Sequence, residues 1–143
     1  MKKMNNKGFS LIELIIVIAI MAILVAIIAP NLTKYLGKSK KKTDAKNADE
    51  IAQQLQTAIT DYETDNGELC ADTKNVKLKW TSTGAANNSG TVAAPSGFLT
   101  IVNDNITNST KSKETGAFAT ATISKTSGKY TITVTVGNES TSR

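Results

Sequence analysis

The chain contains no histidine and only one cysteine, Cys70. Without histidine, the side chain whose unperturbed pKa lies nearest neutrality is missing from any proton-transfer scheme. One cysteine permits no internal disulfide and no thiolate cluster for a metal. A catalytic thiol would need an activating base or a helix N-terminus beside it. Neither stands near Cys70 in the sequence, so it reads as a small, partly buried residue following a helix. The acids Asp72, Asp104, Glu114 and Glu139 are scattered, which denies the chain the carboxylate cluster a calcium site would need. A Gly-rich phosphate loop is also absent. With no convergent acid, base or nucleophile and no cofactor site, the chain reads as structural rather than catalytic.

What the sequence does have is concentrated at its start. Lys7-Gly8-Phe9-Ser10-Leu11-Ile12-Glu13 runs straight into an unbroken apolar tract from Leu14 to Ala29. From Phe9 to Ala29 a helix would cover roughly 32 Å, close to the ~30 Å hydrocarbon core of a bilayer. A removed secretory signal peptide fits poorly, since its apolar core is usually ~7–15 residues. Ala29 is followed by Pro30 and has Ile27 two positions before it, a weak cleavage site for such a signal. Glu13 is the anomaly: an acid within a membrane helix costs ~2.5–3.5 kcal/mol on insertion scales, which asks for a partner.

The short basic leader, then Phe9-Ser10-Leu11-Ile12-Glu13, then a long apolar helix, resembles the class III signal of type IV pilins and pseudopilins, of the Gram-positive, clostridial type. The resemblance covers residues 1 to about 35, with Pro30 standing where the family commonly has a proline. It implies cleavage after Gly8 by a prepilin peptidase on the cytoplasmic side and methylation of the new amine on Phe9. It also implies retention of the apolar helix as filament core, with Glu13 paired to the Phe9 amine of a neighbouring subunit. The alternative for Glu13 is an acid that snorkels to the membrane interface. Many Gram-negative pilins close a C-terminal loop with a disulfide, which this chain cannot do. Leu69-Cys70 also stands where the family often has Tyr-Pro.

The net charge of +5 comes from 17 basic and 12 acidic residues. Losing Lys2, Lys3 and Lys7 with the leader would leave fourteen against twelve, or +2, which is no nucleic-acid footprint. Lys34, Lys38, Lys40, Lys41, Lys42 and Lys46 follow the apolar tract, and by the positive-inside rule they argue for a cytoplasmic C-terminus. The resemblance instead puts the leader inside and the C-terminus outside. The lysines then read as a solvated helix face.

Ala48, Ile51, Ala52, Leu55, Ala58, Ile59 and Tyr62 recur at three- and four-residue steps, predicting an amphipathic helical stripe that packs on a domain. Asp65-Asn66-Gly67 punctuates its end. One helix from Phe9 to Asn66 would run about 87 Å, with Pro30 and Gly37 as weak points. Beyond Gly67 the composition turns to Thr, Ser, Asn, Gly and Lys. Val76, Leu78 and Trp80 alternate with Lys77 and Lys79 as in a half-buried strand. Residues 117–125 and 129–136 predict a hairpin joined by the three residues Thr126-Ser127-Gly128. Residues 96–106 read equally as a helix capped by Ser96 or as a strand. Residues 81–95 read as an exposed excursion. Asn31, Asn87, Asn105, Asn108 and Asn138 begin N-x-Ser/Thr triplets, which so Asn- and Thr-rich a chain generates by composition.

The expected fold is α+β, a pilin fold with a long helical spine packed on a small antiparallel sheet. The expected divisions are a removed leader (1–8), an apolar transmembrane and assembly helix (9–30), its amphipathic continuation (31–66) and a β-rich head (67–143). The resemblance implies a filament subunit for adhesion, motility or biofilm formation, anchored in the cytoplasmic membrane before assembly and extracellular after it. Implied partners are other copies of the chain, the peptidase, an assembly platform with its ATPase motor, and an unspecified surface ligand. The alternatives are a pseudopilin of a type II secretion or DNA-uptake system, in which case nucleic acid enters, and a signal-anchored binding protein that never polymerises.

Overall fold

The computed structural model describes residues 8–88, 92–106 and 110–143. Most of the leader, residues 1–7, and the triplet beginning at Asn108 lie outside the described residues. The elements are α1 (Leu11–Asn66), β1 (Asn75–Thr81), β2 (Gly84–Asn87), α2 (Ser96–Asn105), β3 (Thr120–Thr126), β4 (Lys129–Val136) and β5 (Glu139–Ser142). The chain divides into two compact units, one ending at Lys38 and the other spanning Ser39–Arg143. A long N-terminal helix followed by a small antiparallel sheet is a pilin-like α+β architecture.

The first unit is helical from Leu11 onward, and its residues from Gly8 to Lys38 are exposed, apart from the half-buried Gly37. The helix begins at Leu11 rather than Phe9, with the Ser10 carbonyl accepting the first helical hydrogen bond, from the Leu14 N–H at 3.3 Å. It continues through both Pro30 and Gly37. Beside the proline, the Asn31 amide and the Thr33 hydroxyl donate back to the carbonyls of Ile27 (3.4 Å) and Pro30 (3.0 Å).

In the second unit the remainder of α1 buries Asp44, Ala48, Ile51, Ala52, Leu55, Ala58 and Ile59. These apolar residues share one hydrophobic cluster with Val76, Leu78 and Trp80 of β1, Ala121 and Ile123 of β3, and Ile132, Val134 and Val136 of β4. The strict alternation of each strand follows from the pleat, which turns every second side chain to the core. The sheet order is β2-β1-β3-β4-β5, with every neighbouring pair antiparallel. The helix ends as the sequence indicates, with Gly67 in the left-handed region (φ 81°) and its N–H donating to the Glu63 carbonyl at 3.2 Å.

Two expectations are corrected, one open reading is settled and one strand is added. The β3–β4 connection has two residues, because Thr126 pairs with Lys129. Ser127 (φ 52°) and Gly128 (φ 76°) both take the left-handed conformation that matches the twist of a tight hairpin. Residues 96–105 form a helix that buries Phe98 and Val102, with Phe98 meeting Tyr62 edge-to-face at 5.7 Å. Its cap position is Pro95, with no side-chain cap, so Ser96 is not the cap. Of residues 81–95, the described ones, 81–88 and 92–95, are not a free excursion. They contain β2 on the sheet edge and the buried Ala85 and Ala94. Asn87 there acts like a piece of strand, accepting from the Ala94 N–H (2.6 Å) and donating to the Ala94 carbonyl (3.3 Å). A fifth strand, β5, extends the sheet beyond the expected hairpin.

Candidate assembly site

Gly8, Phe9 and Ser10 precede α1 in exposed, non-helical backbone, and Phe9 is 87% exposed. Glu13 turns back on this entry: the Ser10 N–H donates to its Oε2 at 2.9 Å. The Ser10-Leu11-Ile12-Glu13 spacing is that of a capping box, in which the residue three beyond the cap satisfies a free N-terminal N–H. The carboxylate also faces the positive end of the helix dipole, worth ~0.3–1 kcal/mol. The expected cost of an acid in this helix is thereby partly offset within one chain. The sequence reading missed this, although S-x-x-E before an apolar run is its ordinary signature. Pro30 lies far along the same helix and is not brought to Glu13.

Beyond Glu13 the helix presents large apolar side chains on every side. Leu14, Ile18, Met21, Ile23, Val25 and Ile27 are all more than half exposed, and Leu32, Tyr35 and Leu36 extend the run. Only one face of a surface helix is normally apolar; a helix apolar all round belongs in lipid or inside other helices. By length and composition it can cross a membrane.

Two polar clusters organise the second unit. Asp44 is fully buried and accepts from the Ser112 hydroxyl (2.6 Å) and from the N–H groups of Lys113 (2.7 Å) and Glu114 (3.1 Å). Burial raises its pKa, but these hydrogen bonds outweigh burial and hold the carboxyl below the usual range. At the other cluster the Tyr130 hydroxyl donates to Glu63 (2.6 Å), which also accepts from the Leu69 N–H (3.2 Å). Lys125, nearly buried, meets Glu68 at 2.7 Å and lies over the Tyr130 ring. Burial, and the hydrogen bond to Glu63, push the Tyr130 phenol up to about 12. Burial likewise raises the Cys70 thiol, leaving it a poor nucleophile. A groove of about 460 Å³ opens beside this cluster, lined in part by Gln56, Thr60, Lys129 and Arg143. Two of its charged groups are already engaged: Glu63 as described, and Arg143 in a bidentate pair with Asp49 (2.8 and 3.0 Å).

An apolar helix with an acid bonded back to its entry, followed by a small antiparallel sheet, fits a class of membrane-anchored proteins. The family described as "Prokaryotic N-terminal methylation motif" matches residues 3–29. The chain is similar to the fimbrial protein EcpC of Eikenella corrodens, 37% identical over 66% of this chain and 59% of that protein. It is also similar to prepilin peptidase-dependent protein A of Clostridium perfringens, 40% identical over 41% of this chain and 43% of that one. A third relative, the ComG operon protein 3 homolog of Bacillus licheniformis, is 36% identical over 44% of this chain and 61% of its own. The chain thus spans less than two thirds of the length of each. No solved structure matches. The chain is type IV pilin-like.

Proposed function

We propose that this chain is a structural subunit that self-assembles through its N-terminal helix into a type IV pilus on the cell surface. The observation that carries the reading is the helix apolar on every side, continuous with the methylation motif and exposed from Phe9 to Leu36. Such a surface has no resting place in water. Lipid covers it before assembly, and the same helices of other copies cover it afterwards. The exposed backbone at Gly8-Phe9 suits a peptidase cleaving on the cytoplasmic side, with methylation of the Phe9 amine to follow. An assembly platform and its motor ATPase then lift the subunit from the membrane, leaving the C-terminal head outside. The role is non-catalytic, in keeping with the buried, raised thiol of Cys70 and the absence of histidine.

Glu13 then has two tasks. A carboxylate offers about four lone-pair positions, so accepting the Ser10 N–H leaves room for the Phe9 amine of a neighbouring copy. Such a pair adds little net stability, but it sets the register of helices that otherwise slide past one another. Glu13→Gln keeps the size and the capping oxygen while removing the charge. The expected result is a stable, membrane-inserted subunit with few or no filaments, seen by electron microscopy of sheared surface material. Wild-type filament levels would remove Glu13 from assembly. The Bacillus licheniformis relative, named for the ComG operon, favours a second reading as a pseudopilin of a DNA-uptake machine. That reading expects transformation to fail on deletion without loss of long surface filaments.

A further inference from the structure

The sheet of the second unit has two edge strands, β2 and β5, and only one of them is covered. At β2 the Ala85 N–H donates to the Asn103 side chain of α2 at 2.7 Å, and the Asn87 side chain is bonded to Ala94. No comparable bond covers the outer side of β5 among the described residues. Arg143 and Ile132 exchange both of their main-chain bonds, at 2.8 and 2.9 Å. Facing residues of an antiparallel ladder alternate between pairs that exchange such bonds and pairs that do not, so Thr141 and Glu139 also turn their main-chain groups toward β4. Ser140 and Ser142 turn theirs outward. Both are exposed, and the strand carries no proline or lysine of the kind that keeps a free edge from pairing.

The side chains along this edge are sorted by the pleat. Glu139, Thr141 and Arg143 stand opposite Val136, Val134 and Ile132 and share the core face of the sheet, whereas Ser140 and Ser142 share the other face. Glu139 takes part in none of the ion pairs among the described residues. Arg143 holds Asp49 through Nε and Nη2, which leaves Nη1 uncommitted. A strand laid antiparallel on β5 must bring its own outward groups opposite Ser140 and Ser142, and β5 itself does so in one register. With Thr141 facing Thr141 of a second copy, Ser140 of each copy faces Ser142 of the other, and every outward N–H meets a carbonyl. The same register sets Glu139 opposite Arg143 of the other copy, twice. A shift by one residue opposes outward groups to inward ones. A shift by two leaves one serine of each copy outside the ladder and breaks both charge matches.

We propose that β5 pairs antiparallel with β5 of a second copy of this chain, joining two five-stranded sheets into one about a two-fold axis at Thr141. Main-chain bonds from Ser140 and Ser142 hold the pair, and the matched charges of Glu139 and Arg143 select the register. Because the same surface serves on both sides, the contact closes as a pair and does not propagate. It is separate from the filament contact at Glu13 and does not rest on it. Neighbours within one filament all point the same way, so this two-fold contact joins copies outside any one filament.

The test is a covalent trap in the full-length chain in detergent. Thr141→Cys places two thiols at the axis, in a pair that exchanges no main-chain bonds and whose Cα atoms approach to ~4.5 Å, within the span of a disulfide. Mild oxidation should turn this variant into a disulfide-linked dimer on a non-reducing gel. Ser82→Cys, in the exposed turn between β1 and β2, and the unsubstituted chain, whose Cys70 is buried, should stay monomeric. Adding Ser140→Pro removes an outward N–H from each copy while leaving the bonds to β4 in place, and should slow cross-linking roughly fivefold or more. Cross-linking of Thr141→Cys no faster than that of Ser82→Cys, or unchanged by Ser140→Pro, overturns the proposal. Should Thr141→Cys fail to fold, hydrogen exchange on the unsubstituted chain gives the second measurement. The Ser140 and Ser142 amides should be protected at high protein concentration and exchange freely on dilution, and exchange indifferent to concentration contradicts the contact.

Discussion

Asp44→Ala should be among the most damaging single substitutions in the second unit, although it removes only a small polar side chain. The carboxylate is fully buried and receives three donors, of which the Ser112 hydroxyl is itself buried. Ser112 is held further in place by accepting the N–H groups of Glu114 (3.1 Å) and Thr115 (2.9 Å). Leaving a buried donor without an acceptor costs ~1–3 kcal/mol, and each of the two amides, closer to solvent, adds ~0.5–1.5 kcal/mol. The sum, ~2–6 kcal/mol, is a large part of the 5–15 kcal/mol typical of a domain. Asp44→Asn keeps one acceptor but turns a donor amide toward N–H groups, so about half that loss is expected. The pH dependence has a defined sign. The folded carboxyl is held below its ordinary value near 3.8, so its contribution is complete above about pH 4 and is lost as pH falls through the folded value. Urea unfolding of the fragment Leu32–Arg143, followed by circular dichroism between about pH 2 and 7, separates these effects. An Asp44→Ala loss below about 1 kcal/mol, or an Asp44→Asn variant with unchanged acid sensitivity, would refute the argument.

Removing residues up to Asn31 should leave a monodisperse, folded monomer, because the buried stripe from Asp44 to Ile59 and the whole sheet are retained; aggregation or an unfolded dichroism spectrum would contradict this. Tyr130 should titrate near 12 by ultraviolet absorbance, with stability intact below pH 10 and falling between 10 and 12, whereas Tyr130→Phe should be indifferent to that range. Gly137→Ala should destabilise by more than about 1 kcal/mol in urea, since it combines a left-handed backbone (φ 63°) with a Cβ driven into the Ser112 hydroxyl. A neutral outcome there would show that Ser112 can move off Asp44.

The sequence was most readable where periodicity is strong. The stripe from Ala48 to Ile59 and the alternation of β1 and β4 follow from side-chain geometry alone, and both appear as expected. Asp44 stands one turn before Ala48 on the same stripe. Its acidity makes it look like the solvated end of the pattern, because its three partners lie 68 to 70 residues away. β5 was invisible for a different reason: Glu139-Ser140-Thr141-Ser142 has no apolar alternation and is held by main-chain pairing to β4. Arg143 extends that pairing, exchanging hydrogen bonds with Ile132 at 2.8 and 2.9 Å. In the segment around β2 the buried residues, Ala85 and Ala94, are too small to mark a core pattern, and their anchors are side-chain amides. Asn103 accepts from the Ala85 N–H at 2.7 Å, and Asn87 brackets Ala94. At the entry of α1 the residues were legible but only one of their consequences was drawn, the cost of Glu13 rather than its capping bond.

The central claim is that a processed chain is a filament subunit, and intact-mass analysis of filaments sheared from the cell surface tests it most directly. The account predicts that those filaments contain this chain beginning at Phe9, without residues 1–8 and with one added methyl group on the Phe9 amine. A chain that begins at Met1 and is recovered only as a monomer from the membrane would contradict it.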